Sequence, residues 1–115
     1  MSVNIYDDIN RLEGTLRQTT EFTALQHAVD AVKSDEEALA LFKSFRDLQM
    51  KLQDKQMKGE EISGEELEYF QKTAQLAQGN EKIEKMLHAE MALSGLIEEV
   101  NRVLMKPVQA IYEGI

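Results

Sequence analysis

From Ile5 to Leu104, apolar residues recur at steps of three and four, and little interrupts them. The only proline stands at position 107, and β-branched runs are rare. Steps of three and four place side chains on one face of an α-helix, so the chain is predicted to be all-α.

Local signals divide that pattern into elements. Ile5, Ile9, Leu12 and Leu16 form the first stripe, predicting a helix over about 4–17 with Asn4 as its cap and Asp7 and Asp8 in the first turn. Phe22, Leu25, Val29 and Val32 predict a second over 20–33. Ser34 and Glu37 have the spacing of a capping box, which opens a third helix over 35–58. Its stripe is Ala38, Leu41, Phe45, Leu48 and Leu52, widened by Leu39 and Phe42. Gly59 marks its end, and Ser63 with Glu66 repeats the capping spacing, so a helical hairpin turns there. Leu67, Phe70, Ala74 and Ala77 carry the return helix over 64–78. Gly79 and Asn80 then predict a break before a last helix over 80–105. Pro107 is expected to end or bend that helix, leaving 106–115 as a tail docked by Val108, Ile111 and Tyr112.

The expected architecture is one domain over 1–115, an antiparallel helical hairpin or bundle with long helices and two short N-terminal ones. A helix of about 25 residues is roughly 37 Å long. A compact chain of this length has a radius of gyration of only about 13 Å. The last helix carries Ile83, Leu87, Ile97 and Leu104, flanked by Met86, Leu93, Leu96, Val100 and Val103, a face too wide for one neighbour. A second copy is expected to cover the excess, making a homodimer with Leu93, Leu96, Ile97, Val100 and Leu104 at its face.

Charge and cysteine usage narrow the chemistry. The chain has no Cys, which removes disulfides, thiolate metal sites and cysteine nucleophiles. A net charge of -8 opposes nucleic acid and anionic lipid over most of the surface, so no direct nucleic-acid binding is expected. The first residues, "MSVNIYDDIN", lack the basic and apolar regions of a signal peptide. No apolar run approaches the roughly 18 residues of a membrane span. A cytoplasmic protein without membrane contact is the expectation.

No candidate catalytic or metal site gathers enough groups. His88-Ala89-Glu90 looks like half of a zinc deaminase signature, but the cysteines that chemistry needs are missing. On a helix His88 and Glu90 also point about 200° apart. Neither His27 nor His88 has the glutamate three residues earlier that a di-iron bundle uses. Glu84 and His88 stand one turn apart, which suits a hydrogen bond as well as a metal. Glu90 lies between Leu87 and Leu93, so partial burial is expected, with Arg46 as a possible ion-pair partner. Lys51, Lys55 and Lys58 read as a solvated helix end, and the acids from Glu60 to Glu68 as a helix start. Met50, Met57, Met86, Met91 and Met105 are most simply core filling, an adaptable binding surface being the alternative. Neither a catalytic residue nor a cofactor site is predicted.

Several stretches resemble a known family. "VNIYD", "EFTAL", "FKSFRDLQMKLQDKQMKGEEI" and "AEMALSGLIEEVNRVLMKP" look like the YlbF/YmcA family of bacterial helical proteins, in its YheA-like branch. The resemblance runs from about Val3 to Tyr112, and Phe45-Arg46 with Gln49, the "KQMKG" turn and Ala89-Glu90 are its most specific parts. It implies a cytoplasmic, self-associating, all-α protein of low-GC Gram-positive bacteria. Some family members act without known catalysis in complexes that govern competence, biofilm and sporulation and assist ribonuclease Y. The iron–sulfur clusters linked to that complex are cysteine-ligated and do not carry over to a chain without Cys. The resemblance implies an adaptor or regulator partnered by a regulatory or RNA-processing protein. The alternative is a small-molecule or enzymatic site formed at a dimer interface by Glu90, Arg46 or His88.

Overall fold

The computed structural model describes residues 3–115, which form five helices and no strand. They are α1 (Ile5–Arg17), α2 (Thr20–Lys33), α3 (Glu36–Met57), α4 (Gly64–Gly79) and α5 (Glu81–Ile111). The all-α expectation holds, and four of the five spans match to within two residues. The fifth does not, because α5 continues through Pro107. Proline removes one backbone donor and leaves the Val103 carbonyl without its helical partner. Val103 is exposed, in a part of α5 that is exposed throughout, so the lost bond is not a buried one, and the helix continues to Ile111. The expected tail 106–115 is therefore mostly helix.

The helix ends show which local signals operate. Asn4 occupies the cap position of α1, but its side chain does not cap; its amide donates to Asp7 at 3.0 Å. α3 is capped one residue later than the Ser34–Glu37 spacing suggests. Asp35 Oδ1 accepts the backbone N–H groups of Glu37 and Ala38, both at 3.1 Å. The Ser34 hydroxyl instead donates back to the Asp30 carbonyl. A carboxylate at a helix start gains from the dipole as well as from the hydrogen bonds, so Asp35 outcompetes the neighbouring serine. At the other end of α3, Gly59 takes a φ of 74°. The N–H of Glu60 reaches the Lys55 carbonyl, and that of Gly59 reaches Gln56, closing a Schellman turn. Ser63 and Glu66 form the full capping box of α4. Asn80 caps α5 by accepting from Lys82 and Ile83 at 3.1 Å.

The helices gather into two compact units. One comprises residues 26–87; the other combines the N-terminal residues through Leu25 with His88–Ile115. In the first, α3 and α4 form an antiparallel hairpin. Phe45 and Phe70 stack across it, centroids 5.6 Å apart at an interplanar angle of 20°. Val32, Ala38, Leu52, Ala77, Ile83 and Met86 are the buried apolar residues of this unit among the described residues. Lys55 spans the hairpin, its Nζ donating to both oxygens of Glu66 at 2.8 and 2.6 Å. Lys82 Nζ pairs with Asp35 at 3.1 Å, tying the start of α5 to the cap of α3.

These two carboxylates make the fold acid-sensitive. The Lys55 ammonium, then the Ser63 backbone N–H, holds Glu66 below its ordinary value. The Ala38 backbone N–H, then Lys82, does the same for Asp35. A carboxyl depressed in the folded state contributes stability above its unfolded pKa and loses it as pH falls through the folded one. Thermal melts should therefore show stability falling as pH drops below about 4.5. Glu66→Gln, which cannot titrate, should lose less on acidification than the parent chain. An equal loss in both would remove Glu66 from the acid response.

Candidate interaction surface

The second unit holds the more unusual surface. α1 brings Ile9, Leu12 and Leu16 from one stripe, and α5 brings Ile97 and Val100. Together with Glu13 they line an open, apolar groove of about 280 Å³. Its one charged wall residue is already engaged, since Glu13 accepts from Arg17 at 2.7 Å. Little else in this unit is covered. Ile97 is 40% exposed, Leu104 60% and Ile111 76%. Single exposed apolar residues are ordinary on a protein surface, but a contiguous set on one helix face marks an interaction site.

The predicted dimer-face residues divide accordingly. Ile97 and Leu104 are exposed, Leu96 and Val100 half-buried, and Leu93 buried within the chain at 9% exposure. Leu93 therefore belongs to the core and is not open to a partner. α1 was not expected at this surface. Its stripe was legible, but periodicity does not say which helix another will meet. Val108, Ile111 and Tyr112, expected to dock the tail, are exposed instead, Val108 and Ile111 on α5 and Tyr112 just beyond it.

The partial burial expected of Glu90 is not seen. Glu90 falls on the same side of α5 as Ile83 and Ile97, as its spacing implies, but it is exposed rather than partly buried. Arg46 is exposed too, its guanidinium lying 5.9 Å from the ring centroid of Phe42, within cation–π range. Core filling describes only Met86 among the methionines considered. Met50, Met57, Met91 and Met105 are exposed, which favours the adaptable-surface alternative. Lys55 and Lys58 are held by Glu66 and Asp54, as a helix end should be. Lys51 borders a second groove beside Leu48, Ser63 and Tyr69 on the hairpin. Among the described residues, no three His, Asp or Glu side chains come together in a group that could hold a metal ion.

Comparison with known proteins gives a consistent match. The family model described as control of competence regulator ComK, YlbF/YmcA, matches residues 5–109. A UPF0342 protein of Lysinibacillus sphaericus is 63% identical over 113 residues, spanning 98% of each chain. The UPF0342 protein YheA of Bacillus subtilis is 46% identical, spanning all of this chain and 98% of that one. A solved protein of unknown function (DUF964) from Bacillus stearothermophilus superposes with a TM-score of 0.87 at 34% identity, over 96% of this chain and 97% of that one. Bacillus subtilis RicA, solved in complex with RicF, shares the fold with a TM-score of 0.72 at 19% identity, over 98% of this chain and all of that one.

Proposed function

The chain belongs to the YlbF/YmcA family, and from that premise we propose that it is a non-catalytic adaptor or regulatory protein of the bacterial cytoplasm, acting by binding other proteins. The observation that carries this reading is the α1–α5 surface, where apolar side chains stand open around a groove with no free polar group in its wall. Such a surface offers shape and burial to a protein partner and little that could activate a small substrate. A net charge of -8 disfavours nucleic acid as the direct partner. Among the described residues no helix is long and apolar enough to cross a membrane.

Two kinds of partner fit. The first is a second copy, giving a homodimer in which Leu96, Ile97, Val100 and Leu104 of each subunit are covered. Glu90 and Arg46 are the polar residues we assign to that assembly. The second is another family member or a regulatory or RNA-processing protein. RicA, which shares the fold, was solved in complex with a different protein, RicF, so this fold is compatible with a heteromeric partner. A small-molecule site completed at the interface by Glu90, Arg46 or His88 is the competing reading. It would draw on side chains outside the apolar groove, and this makes it the weaker fit.

Affinity capture of the tagged chain at native expression, followed by mass spectrometry, tests the adaptor reading. A stoichiometric protein partner that is lost on substituting exposed α5 residues is the expected result. Recovery of the chain alone, with a bound metabolite in the purified protein, would replace the adaptor with the small-molecule site.

A further inference from the structure

We propose that the groove between α3 and α4, beside the hairpin turn, is a second docking site, taking a segment of a protein partner that presents one large apolar side chain next to a lysine or arginine. It belongs to the 26–87 unit and goes beyond the reading above by giving the chemistry of a partner.

The lining separates into an apolar floor and two oppositely charged walls. Leu52 is buried and Leu48 half-buried, and with the exposed ring of Tyr69 they border about 290 Å³ of largely apolar space. Pockets that enclose a small ligand run from about 300 to 1,000 Å³. This groove falls at the bottom of that range, and Lys51, Ser63, Glu65 and Tyr69 around it are all exposed. A cleft so small and open suits one or two side chains from another protein surface better than a metabolite.

Charge complementarity selects the occupant. Glu66 is already engaged by Lys55, at 2.6 Å. Lys51 on the α3 wall and Glu65 on the α4 wall have no ion pair among the described residues. Around the turn Lys58 pairs with Asp54 and Lys72 with Glu68, which leaves Glu60, Glu61 and Glu65 against Lys51 alone. Three free carboxylates against one ammonium make the local field negative, in the same sense as the net charge of -8. A cationic segment is attracted, and its apolar neighbour gains by covering Leu48 and Leu52. Tyr69 adds a ring face that favours a lysine or arginine. Lys51 repels the same cation and so directs it to the α4 wall.

Selection of random displayed peptides of about 12 residues, long enough to cross the groove when extended, against the full chain at low salt tests this. The expected survivors carry a leucine, isoleucine, methionine or phenylalanine within about four positions of a lysine or arginine. Backbone amide shifts on adding a survivor should gather at 48–52 and 63–69. Glu65→Lys should weaken its binding at least ~3-fold and Lys51→Glu strengthen it by a similar factor, both effects fading as salt rises. Both positions are exposed, a thermal melt checks that each variant is folded, and opposite responses to the two reversals do not arise from a common loss of structure. No binding tighter than about 1 mM, survivors that are acidic or uncharged, or amide shifts elsewhere would overturn the site. Each would leave the α1–α5 reading standing, because that reading is judged by substitutions on α5. Shifts at 48–52 and 63–69 that grow with the concentration of the chain alone would give the groove to a second copy instead. Free arginine binding as tightly as the survivors would give it to a small cation.

Discussion

Ile97→Glu is expected to halve the mass of the protein in solution, from about 26 kDa for a dimer to the 13.1 kDa of one chain. Ile97 lines the α1–α5 groove and is 40% exposed, so the single chain accommodates a charge there at little cost. Under a second copy the same carboxylate would be desolvated without a partner. An uncompensated buried charge costs roughly 3–5 kcal/mol, and a two-fold interface counts it twice. The dissociation constant should rise by at least ~100-fold. Analytical ultracentrifugation of parent and variant over the same concentrations measures the change. A variant that associates as tightly as the parent would place the interface elsewhere.

Ile83→Ala should produce the largest loss of stability from a single core position. Ile83 is fully buried in the 26–87 unit, one turn from Met86 and just after the Asn80 cap. Removing its side chain forfeits burial and leaves a cavity, a combination that costs about 2–5 kcal/mol. That is a large share of the roughly 5–15 kcal/mol typical of a whole domain. Denaturant unfolding should show a clearly lower midpoint. Ile111→Ala, which shortens a side chain 76% exposed, should leave unfolding of a single chain nearly unchanged and act on association instead. Equal destabilisation by the two variants would contradict the division of the core described here.

Much of the fold was legible because its signals are local. The Ser63–Glu66 box, the Gly59 stop and the Asn80 cap involve residues within a few positions of each other, and each appears as its spacing implies. Local signals failed where two competed. Asp35 and Ser34 both suit a cap, and only the extra charge of the aspartate decides between them. Pro107 was read by its intrinsic cost, which is lower in an exposed last turn of a helix than in a buried interior. The surface was harder. A stripe such as Ile97, Val100 and Leu104 announces that something must cover it, but not what. Leu93, on the same stripe, is covered within the chain, and Glu90 shows that a polar residue on an apolar side need not be buried. Neither outcome follows from spacing, because both depend on contacts between residues far apart in sequence.

The open face of α5 also bears on how the protein is kept in a cell. Ile97, Leu104 and Ile111 on an unpaired copy are the sort of surface that chaperones bind and proteases sample. A partner that covers it would also shield the chain from such surveillance, so an unassembled copy should be cleared faster than an assembled one.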